Sequence, residues 1–218
     1  GPKENRNTVV NTHWRGGTEN NHFGIPEFFE LLKQIECDAN FKVNVGSRTV
    51  QEMSEWVEYI SMDCISPMAY LRRENGHEEA WEMKFFGVGN EIWGCGGNMR
   101  PEFAADETRR YATFVKAPRG TKIMKIAAGA NVDDYNWTET MMRVAGDKLD
   151  GLSLHYYVHP AGGWPPRAPA VNFDENGWAD ALNGARKMDE LITKHSAIMD
   201  KYDPAKRIFL AVDEWGSW

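Results

Sequence analysis

The stretch FFGVGNEIWGCGGNM, residues 85–99, opens as an apolar strand, sets Asn90 and Glu91 where the apolar run stops, and then passes into glycines. A single carboxylate at the end of a core strand has a bland use, as a cap or a partner for a nearby cation. The far end of the chain repeats the pattern, however. RIFLAVDEWGSW, residues 207–218, closes another apolar run with Asp213 and Glu214, and in both places an amide or acid precedes the glutamate and an indole follows it closely. Two such occurrences raise the possibility of a working pair.

Three further apolar runs complete a series of five strands: Phe41–Gly46, Lys84–Gly89, Lys122–Ala128, Leu149–Tyr156 and Arg207–Asp213. Segments of helical periodicity lie between them, over Ile25–Glu36, Thr49–Met62, Pro101–Lys116, Asn136–Ala145 and Trp178–Tyr202, the last long enough to break near Ser196. Short apolar runs alternating with amphipathic helices are the pattern of β-α units around a parallel sheet. The proline-rich segment His159–Pro169 is irregular.

Such a series builds either an open doubly wound sheet or a closed barrel. The open dinucleotide-binding type carries GxGxxG after its first strand, and GVGNEIWG lacks the third glycine at the required place. Barrels draw their chemistry from the C-terminal ends of several strands. Here those ends read Asn44, Asn90-Glu91, Asn131, His155-Tyr156-Tyr157 and Asp213-Glu214. The predicted fold class is therefore α/β, a (β/α)8 TIM barrel seen in part.

Composition excludes several functions. A formal charge of -7 with no block of lysines or arginines argues against a phosphate backbone as partner. No apolar stretch reaches the ~20 residues of a membrane span. Cys37, Cys64 and Cys95 form no CxxC, and the six histidines show no HExxH or paired spacing, so neither a disulfide framework nor a metal site is expected, and the two-carboxylate chemistry considered below needs no organic cofactor. Reduced thiols fit the cytoplasm of a bacterium, with the periplasm left open. Gly94, Gly96 and Gly97 lack a following Gly-Lys-Ser/Thr and read as a flexible loop.

Two carboxylates across a pocket are what acetal hydrolysis needs. One attacks or activates water while the other protonates the leaving oxygen, at about 5 Å separation for direct attack and about 6.5–9.5 Å for a water in between. Glu91 and Glu214 are the candidates, with the acid expected to have a raised pKa from the other's charge. Asp213 rivals Glu214, since strand alternation does not separate them. Asn90 suits a sugar hydroxyl next to the reacting carbon, but regular pleating sends Asn90 and Glu91 to opposite faces, so a bulge or sharp twist is predicted there. His155 is either a core histidine or a site residue, and a Tyr157 hydroxyl would steady a carboxylate nucleophile. Trp14, Trp93, Trp164, Trp215 and Trp218 lie near loops or strand ends, where indoles stack on sugars.

Five blocks in order, GPKENRNTVVNTHW, FKVNVGSRTVQEMSEWVEYI, GVGNEIWGCGGNM, DGLSLHYY and FLAVDEWGSW, resemble glycoside hydrolase family 51, the retaining α-L-arabinofuranosidases. The resemblance implies that Glu91 is the general acid/base on the fourth barrel strand and Glu214 the nucleophile on the seventh. It implies that Asn90 meets the sugar's 2-hydroxyl, that Tyr157 lies by the nucleophile, and that Trp14 and Trp218 line the sugar site; His155, from its place at the strand end, is a further substrate-binding candidate. Residues 1–218 would then be part of the catalytic barrel, strands three to seven, with strands one, two and eight and a C-terminal β-sandwich outside the chain. The expected substrate is an arabinose-containing oligo- or polysaccharide of hemicellulose or pectin, and the expected full-length enzyme is a homo-oligomer. A related β-1,4-glucanase or xylanase, an inactive carbohydrate-binding barrel relic and a fragment without a stable fold are the alternatives.

Overall fold

A computed structural model describes residues 3–13, 16–163 and 168–217, which fall into two compact units. Trp14, Trp164 and Trp218 lie outside the described residues.

The first unit comprises Gly1–Phe41, Gln51–Phe85 and Val115–Ile123. It opens with an antiparallel hairpin absent from the sequence reading, β1 (Val9–Asn11) and β2 (Gly17–Glu19), followed by helix α1 (Ile25–Ile35). Glu27 in the first turn of α1 accepts from the Gly24 N–H at 2.8 Å and grips the Arg6 guanidinium with both oxygens, at 2.8 and 2.9 Å. That fork lowers the Glu27 pKa to about 2. Met53, Val57, Ile60 and Ala69 are buried in this unit, and a half-buried aromatic cluster packs beside them: Phe29 stacks on Trp81 at 5.1 Å, and Phe41 meets Phe28 and Trp56 edge-on at 5.2 and 5.5 Å. Helix α2 (Val50–Ser61) is followed by α3 (Pro67–Glu74), also unanticipated. Its signal was present as Ser66-Pro67, a capping hydroxyl that accepts from Ala69 N–H at 3.2 Å, ahead of a proline at the first helical position. The fully buried Arg72 of α3 donates to the Tyr59, Met62 and His77 carbonyls, satisfying the end of α2.

The second unit, Lys42–Val50, Phe86–Phe114 and Met124–Trp218, carries the main sheet. The sheet has five strands in the order β3 (Asn40–Val43), β4 (Phe85–Val88), β5 (Met124–Asn131), β6 (Gly151–Val158) and β7 (Phe209–Ser217). The strands are parallel and neighbours in sequence are neighbours in space, the winding of a β/α barrel. Helices α4 (Pro101–Phe114), α5 (Tyr135–Ala145), α6 (Glu175–Ala185) and α7 (Lys187–Tyr202) fill the connections. Trp137 of α5 is 1% exposed and donates to the Ala128 carbonyl of β5 at 3.0 Å, pinning helix to sheet. His195 of α7 is a satisfied core histidine, bonded to Thr138 Oγ1 at 2.8 Å and the Val132 carbonyl at 2.7 Å.

Three boundaries differ from the sequence reading for identifiable reasons. The long helical segment breaks at Arg186, between α6 and α7, while Ser196 lies inside α7. Strand β5 runs on through Ala128-Gly129-Ala130 to Asn131, because small residues that look loop-like fit where β6 comes close. At Gly129 an added Cβ would stand 1.5 Å from the Ser153 carbonyl oxygen, beside a register shift in the β5–β6 ladder. Strand β7 extends past Glu214 to Ser217, paired to Tyr156, Tyr157 and Val158.

Replacing Gly129 with alanine is expected to cost about 3 kcal/mol or more, through overpacking against rigid backbone. Gly146→Ala, where the new methyl meets only Ile208 Cδ1 at 3.7 Å at an ordinary helical φ, is expected to be neutral to slightly stabilising. Thermal melts of the two variants side by side check the contrast.

Candidate active site

Two local departures from regular strand geometry bring the acidic residues together. The first follows β4. Gly89 and Glu91 have φ of +82° and +46°, so the chain leaves the strand through left-handed backbone. This is the predicted sharp twist, and it lets Asn90 and Glu91 serve one site. The Glu91 carbonyl accepts from the Gly94 and Gly96 N–H groups at 2.8 and 3.0 Å, which holds the strained residue in place. The glycines are therefore not a flexible loop as expected. A Cβ on Gly96 would lie 1.9 Å from the Asn90 carbonyl oxygen, so glycine here permits close backbone approach in a bonded turn.

The second departure is in β7. Leu154 pairs with Val212 but the next residue, His155, pairs with Glu214, so Asp213 is an extra residue in the ladder. Alternation could not separate Asp213 from Glu214 because alternation fails there. The bulge puts both acids on His155. Asp213 Oδ1 lies 3.1 Å from Nε2 and Glu214 Oε2 lies 3.5 Å from Nδ1.

His155, on β6 and 2% exposed, is the centre of the cluster. Its Nδ1 is 2.9 Å from Glu91 Oε1. Burial alone would push the imidazole toward neutrality, but the Asp213 and Glu91 hydrogen bonds and the charge of Glu214 outweigh it and lift the pKa to about 9. Burial likewise pushes Asp213 up, and His155 with Lys42 overturns that, holding it below the ordinary carboxylate range. Glu91 departs from expectation. The His155 hydrogen bond, opposed by burial, sets its pKa below the usual value, so in the free site the imidazolium overrides the raising effect expected from Glu214.

Of the remaining predicted residues, Asn90 and Tyr157 join this cluster. Asn90 Nδ2 donates to Glu214 Oε1 at 3.1 Å, and the Tyr157 hydroxyl lies 3.4 Å from Glu214 Oε2. Tyr156, one position earlier, bonds the Gly184 carbonyl at 2.7 Å. Asn44 is a turn residue whose Oδ1 accepts from Gly46 and Ser47 N–H. Trp93 Nε1 bonds the Gly129 carbonyl, while Trp215 is widely exposed. Trp14 and Trp218 lie outside the described residues.

Two groups escaped the sequence reading. Lys42 of β3 places its ammonium 2.7 Å from Asn90 Oδ1 and 3.0 Å from Asp213 Oδ2. Cys95 Sγ is 3.4 Å from Glu91 Oε2. A lysine inside the apolar run FKVNV was the available signal for the first, since a charge within a core strand needs a partner.

One ligand atom each from Glu91, His155 and Glu214 lies within 4.8 Å of the others, close enough to share a cation. In this structure the positive charge among these carboxylates comes from the His155 imidazolium and the Lys42 ammonium. For the carboxylates the same observation means that one oxygen of Glu91 lies within 4.8 Å of one oxygen of Glu214.

A parallel β/α sheet that gathers Asn-Glu from one strand end and Asp-Glu from another defines a two-carboxylate barrel site. Residues 1–162 match the family model of the alpha-L-arabinofuranosidase 1 domain, and the chain belongs to that family. A curated relative, an intracellular exo-alpha-L-arabinofuranosidase of Bacteroides ovatus, is 47% identical over the whole chain and 42% of its own length. The crystal structure of a GH51 arabinofuranosidase from Xanthomonas axonopodis pv. citri superposes with a TM-score of 0.95 at 54% identity, covering all of this chain and 44% of that one. The arabinose complex of the Thermotoga maritima α-L-arabinofuranosidase gives 0.83 at 28%, over 42% of that chain. The chain thus spans about two fifths of the length of these relatives.

In imidazole-detected NMR, His155 is expected to titrate at about 9, and Asp213→Asn, which removes the first of its raising hydrogen bonds, should lower that value.

Proposed function

We propose that residues 1–218 form part of the catalytic barrel of a retaining, exo-acting α-L-arabinofuranosidase that removes terminal arabinofuranosyl units from arabinose-containing oligosaccharides. The carrying observation is the closeness of the Glu91 and Glu214 carboxylates, with Asn90 bonded to Glu214. The names of the relatives support the sugar and the exo action. The intracellular naming of the Bacteroides ovatus relative fits three exposed, unpaired thiols in a reducing compartment.

Glu214 attacks the anomeric carbon as Glu91 delivers a proton to the departing oxygen, giving a covalent arabinosyl-enzyme. Glu91 then takes a proton from water, which attacks and releases arabinose with net retention. Asn90 Nδ2 has a second hydrogen beyond the one given to Glu214, suited to the sugar 2-hydroxyl. Tyr157 steadies the nucleophile from its other oxygen.

The opposite shifts of Glu91 and His155 support a donated proton held by the two together. Glu91 is held low and His155 high, so one proton resides on Glu91 and His155 together from acid pH to about 9. The acid step draws on that shared proton. As pH rises through about 9 the pair loses it, and activity falls.

In the complete protein, Glu214→Ala is expected to lower release from p-nitrophenyl α-L-arabinofuranoside by at least about 10⁴-fold, as loss of a nucleophile does. Glu91→Ala should lose about 10²–10⁴-fold on substrates with poor leaving groups, keep most activity on activated ones, and recover with azide. An active Glu214→Ala beside a Glu91→Ala that azide fails to rescue reverses the roles, and preferential cleavage of the β-xyloside or β-glucoside overturns the sugar assignment.

The alkaline limb of kcat/KM is expected near the His155 value of about 9, and His155→Ala should bring it down by at least about one unit. A limb that stays in place removes His155 from the proton-holding pair.

A further inference from the structure

Lys42 lies outside the pair of glutamates yet touches nearly every group that serves them. Its ammonium faces Asn90 and Glu91 from the segment after β4, His155 from β6, and Asp213 and Glu214 from β7. The measured approaches are 2.7 Å to Asn90 Oδ1, 3.0 Å to Asp213 Oδ2, 3.4 Å to His155 Nε2 and 3.9 Å to Glu214 Oε1. We propose that Lys42 is a positioning residue for the glycosidase reaction, one that fixes the Asn90 amide with its donor end toward the nucleophile and supplies the permanent positive charge of the carboxylate cluster. This rests on the function proposed above.

The first role follows from donor and acceptor arithmetic. A primary amide has an acceptor end and a donor end, and an ammonium is only a donor. With Lys42 at 2.7 Å, a flipped Asn90 would set NH₂ against NH₃⁺ and turn its carbonyl oxygen toward the Glu214 carboxylate, two repulsive contacts in place of two attractive ones. The lysine therefore permits one orientation, the one that gives Nδ2 to Glu214 and leaves a hydrogen for the sugar.

The second role follows from charge. Three carboxylates, Glu91, Asp213 and Glu214, share one imidazole and one ammonium. Forming the arabinosyl-enzyme removes the negative charge of Glu214 and spends the one proton held by Glu91 and His155, so the net charge of the cluster is the same before and after. A fixed cation keeps that balance within reach at both stages. Without Lys42 the cluster is one unit more negative throughout and binds every proton more tightly.

The fold makes room for this side chain. Gly87 of β4 lies beside Lys42, where an added Cβ would stand 2.6 Å from Lys42 Cγ and 3.3 Å from its Cα. Gly87 has no left-handed φ that would call for glycine, so it serves as space for the lysine stem.

Lys42→Met, in the complete protein, keeps the stem and removes the charge. Expected are a loss in kcat of about 10–100-fold with KM little changed, since Lys42 acts on groups that act in the transition state, and a displacement of the pH profile of kcat/KM by about one unit to higher pH. The imidazole NMR titration of His155 should move up as well, a readout that needs no turnover. Combined with Asn90→Ala, the double variant should lose well less than the product of the single losses. Lys42→Arg, which keeps the charge on a different head group, should lower kcat with the pH profile unmoved, and it carries the test if the methionine variant does not fold. A Lys42→Met enzyme with wild-type kcat and pH profile and an unmoved His155 titration overturns the proposal, as does a Lys42→Arg profile displaced like that expected for methionine. Wild-type protein that releases no arabinose overturns the reaction instead, and the His155 titration still judges the lysine.

Discussion

The imidazole of His155 is the contact on which the site depends. One buried ring reaches Glu91, Asp213 and Glu214, contributed by two strands that do not adjoin each other in the sheet order. Three half-buried carboxylates gathered without compensation would drive one another to take up protons, since like charges at such range disfavour the ionised form. Imidazolium and ammonium keep Glu91 and Asp213 ionised instead. The ring is held because β6 lies between β5 and β7, with Asn131, His155 and Glu214 level across three strands. Sheet register thus acts directly on chemistry.

Much of this was legible in the sequence. All five sheet strands were readable from apolar runs, and the collection of Asn90, Glu91, His155, Tyr157 and Glu214 at one edge followed from where those runs end. The twist at Glu91 was legible too, because two adjacent polar residues needed on one face cannot both be there without one. The bulge at Asp213 was not, since a ladder slip is decided by the neighbouring strand and leaves no mark in local periodicity. Lys42 was passed over for a related reason. Alternation marks Lys42 as facing away from Phe41 and Val43, but only the placement of β7 shows that two acids wait on that face.

The misreading of the glycines has the same physical origin. Glycine is permissive, and from sequence that reads as looseness. In residues 89–97 the permission is spent on left-handed backbone and on contacts too close for any side chain, so the segment is bonded throughout. Likewise, Gly87 and Gly129 sit inside strands where propensity argues against them, each because something occupies the space a methyl would fill.

The extra residue in β7 also sets a phase. Upstream of Asp213, inward and outward positions follow one parity, and downstream they follow the other. Conservative replacements along Phe209–Val212 leave that phase intact. Loss or gain of a single residue there would shift both acids along the ring, so this strand tolerates a change of side chain more readily than a change of length.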